Sequence, residues 1–216
     1  MAAPAWPSAQ HRIFLAGPPG AGKGTVAAQL ERHLGVVAIS TGDLCREEIA
    51  RDSEVGRAIK ARVEAGVIRV ETRHWLPALL ARLEAAPAAG WILDGAPRWR
   101  EQVAELQLVQ VTPTLFIILD LSEEECLRRL STRLIHKPSG QVYNALTNPP
   151  PPELLSQCAP RADDQSGKAI ARVRESNQWF ADVDTWYPSD VVVRINADQS
   201  VDQVLSDILK AVNSLC

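Results

Sequence analysis

The segment Arg12-Ile-Phe-Leu-Ala-Gly-Pro-Pro-Gly-Ala-Gly-Lys-Gly-Thr25 decides the fold. It opens with a short apolar run of the kind that forms a buried strand, and a Gly/Pro cluster ends that run. Gly17-x-x-x-x-Gly22-Lys23 then comes close to the Walker A pattern, with Gly24 where Ser or Thr usually stands and Thr25 one place late. Glycines in such a loop let backbone N–H groups turn inward around phosphate oxygens, and the following helix N-terminus adds the positive end of its dipole. The Lys23 ammonium then bridges the outer phosphates, and Thr25 is placed to face a phosphate or a metal-bound water. A strand before the loop and a helix after it distinguish this arrangement from a glycine-rich turn that serves packing alone.

Working outward, Val36–Ile39, Trp91–Leu93, Thr114–Leu119 and Val191–Ile195 are further short runs rich in Val, Ile and Leu. Between them, helices are expected over Gly22–His33, Gly42–Ala65 in two pieces, Glu71–Ala86, Arg100–Val109, Ser122–Arg133, Gln165–Phe180 and Ser200–Asn213. Strands alternating with helices, the strands almost continuously apolar, predict a doubly wound α/β domain: a five-stranded parallel sheet with helices on both faces. Leu134–Arg161 breaks the rhythm with four consecutive prolines and a Pro-Ser-Gly turn, has no helical period, and reads as either a functional flap or a disordered insertion.

Composition narrows the function. The chain has 216 residues, 23 Lys plus Arg against 26 Asp plus Glu, and a net charge of −3, which argues against coating nucleic acid or anionic lipid and leaves any anion site local. No apolar run reaches the ~20 residues that span a bilayer, and Met1–Gln10 lacks the apolar stretch of a signal peptide. Cys45, Cys126, Cys158 and Cys216 are scattered without a C-x-x-C pair, so neither a disulfide scaffold nor a four-cysteine zinc site is readable, and a reducing compartment fits.

The loop, with glycine after its lysine, resembles that of the adenylate kinases and their nucleoside monophosphate kinase relatives. Ser40-Thr41-Gly42-Asp43-Leu44-x-Arg46 resembles the family's monophosphate-binding segment, and Leu93-Asp94-Gly95-Ala96-Pro97-Arg98 its D-G-F-P-R segment. Arg129-x-x-x-Arg133, His136-x-Pro138-Ser139-Gly140-x-Val142-Tyr143-Asn144 and Asn148-Pro149-Pro150 are similar to the start of its lid, and Arg161-x-Asp163-Asp164 with Arg172 to the lid's end. The resemblance covers about residues 12 to 213. It implies an N-terminal arm over 1–11, expected to be flexible, and one kinase domain over 12–216. Within that domain the core is 12–40, 71–133 and 162–216, the monophosphate-binding segment about 41–70, and the mobile lid about 134–161.

The resemblance also implies the reaction: transfer of the γ-phosphoryl of a nucleoside triphosphate to a nucleoside monophosphate, giving two diphosphates. The acceptor is already an anionic phosphate oxygen, so the site needs alignment and positive charge rather than a general base, with Mg²⁺ as cofactor. Lys23, Arg98, Arg133, Arg161 and Arg172 are the expected catalytic residues. Gly20, Ala21, Gly22, Lys23, Gly24, Thr25, Arg129, Arg133 and Tyr143 are expected around the donor. Thr41, Arg46, Gly95, Arg98, Gln102, Arg161 and Arg172 are expected around AMP, and the guanidinium fork suits bidentate phosphate contacts. Asp94 resembles the acid that holds Mg²⁺ through water, although Asp-Gly-Ala-Pro also reads as a turn. Asp163 and Asp164 either orient lid arginines or cap the helix near Gln165.

Thr41 and Gln102 are the family's adenine markers, set against a helix cap for Thr41 and a solvated Gln102. His136-x-x-Ser139 with Cys158 the only cysteine nearby points to a polar, hydrogen-bonded lid without zinc. The stretch Pro151–Pro160 is shorter than the usual lid. GTP:AMP phosphotransferases of the mitochondrial matrix share much of this lid but usually show Ser-Ser-Gly where this chain has Ser-Thr-Gly, so ATP is the expected donor and GTP the alternative. A nucleotide-binding relative with little turnover is the other alternative, motivated by Ala96, Trp99 and the short lid. Shikimate and gluconate kinases lack the S-T-G-D and D-G-x-P-R pair. The expected partners are therefore ATP or GTP and AMP, with no nucleic acid and no membrane, acting as a monomer in the cytoplasm or, alternatively, the mitochondrial matrix.

Overall fold

A computed structural model describes residues 8–65, 70–161, 164 and 166–214, leaving Asp163, Gln165, Cys216 and most of the N-terminal arm outside the described residues. Strand β1 (His11–Ala16) sits at the centre of a five-stranded parallel sheet, with β2 (Val37–Ser40), β3 (Gly90–Asp94), β4 (Leu115–Asp120) and β8 (Val192–Asn196) in the order β2-β3-β1-β4-β8. The chain winds from β1 toward β2 and β3 on one side and toward β4 and β8 on the other. That reversal opens a crevice at the carboxyl ends of β1, β3 and β4, where open α/β sheets bind ligands.

Side-chain alternation along β1 divides the core in two. Phe14 and Ala16 point to one face, packed with Trp75, Leu79 and Leu83 of α4 (Leu76–Glu84) and its approach, and with Val103 and Leu106 of α5 (Arg100–Leu108). Ile13 and Leu15 point to the other, under Val26, Ala27 and Leu30 of α1 (Lys23–Leu34) and Val204, Leu205, Ile208 and Val212 of α8 (Val201–Asn213). Fully burying each such side chain contributes about 1.5–3 kcal/mol, which is why the five apolar runs dominate the architecture. Among the described residues no helix is long and apolar enough to cross a membrane.

Set against the sequence expectation, two helices are shorter and one helical region divides in two as expected. The helix expected over Glu71–Ala86 is a 3₁₀ turn, Thr72–His74, followed by α4, because Pro77 lies in the first turn of α4 and lacks the N–H that a continuous helix needs. The two pieces between Gly42 and Ala65 are α2 (Thr41–Ala50) and α3 (Glu54–Glu64), separated at Asp52, which is left-handed at φ 50, and restarted by the Ser53 cap. α6 runs Glu123–Ser131 rather than to Arg133. Arg133 instead begins a strand.

That strand sets aside the disordered-insertion alternative for Leu134–Arg161. β5 (Arg133–His136) pairs antiparallel with β6 (Val142–Asn144) and β7 (Cys158–Pro160) in a separate three-stranded sheet, with a 3₁₀ helix over Pro152–Gln157. The hairpin turns at Pro138-Ser139-Gly140, and the His136 ring nitrogen Nδ1 lies 2.7 Å from the Ser139 hydroxyl. The strands are too short to give a period-2 signal.

Candidate active site

The phosphate loop joins β1 to α1 as expected, and Gly20 shows why glycine is needed. Its φ is +92, and a Cβ there would lie 2.9 Å from the Cys126 carbonyl oxygen of α6, so a side chain would be both strained and crowded. Lys23 curls back over the loop, its Nζ donating to the carbonyls of Gly17 (2.8 Å) and Pro18 (3.0 Å). Burial in the cleft lowers its pKa to about 8; Arg98, Arg133 and Arg172 push the same way and Asp94 opposes them. Electrostatically, these cations and the carboxylate share one site. Gly24 and Thr25, in the first turn of α1, are exposed at its mouth.

Asp94 ends β3 at the crevice rather than capping a helix. Burial raises its pKa, while Lys23 and Arg98 pull it down. A half-buried hard-oxygen donor beside a phosphate loop fits a carboxylate that holds Mg²⁺ through its waters, the ion taking other ligands from phosphates. Gly95 follows at φ +87, where a Cβ would come within 2.9 Å of the Thr41 hydroxyl and 3.2 Å of Arg98 Nη2. Its bare backbone lets these two side chains approach each other.

Thr41 is buried, and its hydroxyl donates to the Asp94 carbonyl at 3.3 Å. The cap of α2 is Ser40, whose Oγ accepts from the Asp43 N–H at 3.2 Å, so the capping alternative for Thr41 is set aside. Gln102 on α5 is 2 % exposed rather than solvated. Its Oε1 accepts from the Arg98 backbone N–H at 2.9 Å, which turns the other end of the amide over to a ligand. The Arg98 Nε donates to the Gly95 carbonyl at 2.7 Å, and burial, then Arg172, lowers its pKa. Arg46, more exposed, pairs with Asp43 one turn earlier on α2.

A buried carboxylate gathers the lid-side cations. Asp164, just before α7 (Ser166–Trp179), accepts two bonds from Arg133, Nε to Oδ2 at 2.7 Å and Nη2 to Oδ1 at 2.6 Å, and Arg172 Nη1 lies 3.5 Å from Oδ1. Of the two roles open to Asp164, the geometry displays arginine orientation. Arg161 leads into this turn, its carbonyl accepting the Asp164 N–H at 3.0 Å. Arg129 on α6 donates to Glu125 (2.7 Å) and to the Ala197 carbonyl (3.0 Å) after β8. Tyr143 is buried opposite Leu134 in the lid sheet, an interior position rather than an open binding surface. A cavity of about 520 Å³ opens near Gly24 and Asp94 and runs between α1 and α2; the clustered arginines do not line it.

Two contacts had no sequence signal. The Arg98 guanidinium carbon lies 5.8 Å from the centroid of the Trp179 ring, and Trp179 meets Trp99 edge-on at 5.4 Å. Both depend on α7 returning to the D-G-A-P-R turn from far along the chain.

Comparison with known proteins agrees with this geometry. The family model described as adenylate kinase matches residues 15–208. The adenylate kinase of Salinibacter ruber is 31% identical over 219 residues, covering 94% of this chain and 99% of that protein. That of Kosmotoga olearia is 33% identical over 214 residues, covering 94% and 99%. A probable adenylate kinase 2, chloroplastic, of Oryza sativa subsp. japonica is 33% identical over 206 residues, covering 94% of this chain and 70% of the relative. The chain belongs to the adenylate kinase family.

Proposed function

We propose that this chain moves the γ-phosphoryl of Mg-ATP to AMP, forming two ADP. The observation that carries the reading is the gathering of Lys23 on the phosphate loop, Arg98 just after β3, and Arg133 and Arg172 on their shared carboxylate Asp164. Such a cluster repels itself without a ligand and is suited to charge spread over a phosphoryl group in flight. In this reading the backbone of Gly20–Thr25 and Lys23 hold the β- and γ-phosphates, and Arg129 and Arg133 serve the donor, while Tyr143 packs inside the three-stranded sheet. Thr41, Arg46, Gly95, Arg98, Gln102, Arg161 and Arg172 serve AMP. Arg98, Arg133, Arg161 and Arg172 surround the transferred group.

Asp94 would hold Mg²⁺ through water, and the ion would neutralise charge on the outer phosphates. ATP is preferred as donor: the relatives are named adenylate kinases, and the GTP:AMP alternative has no finding in its favour. We further propose that the chain works as a monomer, because one chain carries both nucleotide sites. We place it in the cytoplasm, where the free thiols of Cys45, Cys126 and Cys158 suit a reducing compartment. Chromatographic measurement of ADP formed from ATP plus AMP tests the reaction; ADP should appear only when both nucleotides and Mg²⁺ are present. Absence of turnover with all three would overturn it.

A further inference from the structure

The indole pair Trp99 and Trp179 lies outside every role assigned above, yet Trp179 lies against Arg98 of the acceptor side. Trp99 occupies the N-cap of α5 with extended dihedrals and makes no side-chain capping bond. Caps favour Ser, Thr, Asp or Asn, and placing another residue there costs about 0.5–2 kcal/mol of helix stability. A local rule broken next to a functional arginine suggests that the side chain is used elsewhere. Its use is visible: the Trp99 ring meets the Trp179 ring at 5.4 Å with an interplanar angle of 67°, an edge-to-face pair. The Trp179 ring in turn lies 5.8 Å from the Arg98 guanidinium carbon.

Arg98 needs such support. Its Nε is held by the Gly95 carbonyl at 2.7 Å, one anchor for the whole planar guanidinium, and Arg172 repels it. On α7, Arg172, Glu175 and Trp179 follow the i, i+3, i+7 spacing of one helix face, so the helix offers Arg98 a cation, a carboxylate and a π surface in turn. Glu175 attracts the guanidinium from a distance. The ring holds it by quadrupole attraction at the ring face without taking up any N–H donor that a phosphate needs.

We propose that Trp179, braced by Trp99, is a positioning residue that holds the Arg98 guanidinium in its phosphate-gripping orientation. The proposal rests on reading Arg98 as an AMP-phosphate ligand. Trp179→Leu removes the π face and keeps apolar bulk. It should raise the Kd of AMP measured by calorimetry, and the KM of AMP, about fivefold, equivalent to about 1 kcal/mol. The KM of ATP should stay within about twofold of wild type. Trp179→Phe should restore AMP affinity to within about twofold, which a purely volumetric role would not require. In an Arg98→Met background, Trp179→Leu should add less than about twofold, because the cation it positions is gone.

Three results overturn the proposal: Phe as damaging as Leu, AMP and ATP constants rising together, or effects that multiply in the Arg98→Met background. If Trp179→Leu does not fold, Trp99→Leu, which removes only the brace, should still weaken AMP binding about twofold to threefold, and no change there overturns the proposal. A wild-type chain that binds no AMP overturns the acceptor reading together with this one, whereas a wild type that binds AMP and a Trp179→Leu that binds it equally overturns this one alone.

Discussion

Replacing Lys23 with methionine is expected to lower kcat on the order of hundreds-fold, since the change removes one preorganised charge beside the outer phosphates and keeps the stem. The fold should persist: burial is the main reason the ammonium's pKa is lowered to about 8, so removing the charge relieves a desolvation cost. Circular dichroism with steady-state kinetics checks both halves. The same value sets a pH dependence. Lys23 is protonated below about pH 8 and neutral above it in the free enzyme. Hence kcat/KM for Mg-ATP should fall as pH rises through about 8, while kcat at saturation holds to higher pH because bound phosphate favours the charged form. A flat kcat/KM profile from pH 7 to 9.5 contradicts this.

Gln102 carries a second residue-scale prediction. AMP should be preferred over UMP and CMP by at least about tenfold in kcat/KM, from one buried hydrogen-bond set worth ~1.4 kcal/mol or more. Gln102→Ala should narrow that gap, but because Oε1 also holds the Arg98 N–H, every monophosphate should weaken, AMP most. Equal use of UMP by the wild type contradicts the assignment of Thr41 and Gln102.

At the scale of elements, the sheet and its phosphate loop were readable because their signals are local: apolar runs bounded by glycine and proline, and a loop whose residues lie side by side in sequence. What was not readable depends on distance along the chain. Arg133 reads as the last turn of a helix, yet it opens β5 and meets Asp164 at 2.7 and 2.6 Å, a partner 31 positions away. Trp179 has no local feature that marks it as the neighbour of Arg98. The lid sheet is hidden by strands of three or four residues set between prolines.

The Arg133–Asp164–Arg172 cluster is where this element scale can be tested. Asp164 is 4% exposed and holds two guanidinium groups, so Asp164→Asn leaves partly buried cations without their counter-charge. A hydrogen bond to a charged group is worth about 1.5–3 kcal/mol, and in a chain of this size about 2 kcal/mol corresponds to a fall in Tm of about 4–8 °C. kcat should fall at least tenfold, since both arginines lose their orientation, while AMP binding in the absence of ATP changes less. Unchanged Tm and kcat would show that the lid is tied to α7 by other contacts.

At the scale of the whole molecule, the proposed donor base lies between the three-stranded sheet and the loop after β8, and Thr147 is the position to test. It is exposed in the lid, its backbone N–H donating to Asn144 Oδ1 at 3.1 Å, where family lids commonly carry Phe before Asn-Pro-Pro. Threonine cannot lay a ring on a purine, and a lost aromatic contact is worth roughly 0.5–1.5 kcal/mol beyond its area. On the opposite side, Arg129 is held at the Ala197 carbonyl, 3.0 Å away, which sets a planar cation and a backbone acceptor side by side. The acceptor suits the adenine amino group and the plane suits any purine, so ATP should remain the better donor by a modest margin. GTP should support the reaction within about tenfold of ATP. Thr147→Phe should lower the donor KM a fewfold with little change in kcat, the pattern of uniform binding. Steady-state kinetics with both donors at saturating AMP decide the matter: a thousandfold preference for ATP, or a donor KM that ignores Thr147→Phe, means that the base is selected at the Arg129–Ala197 edge rather than by stacking under the lid.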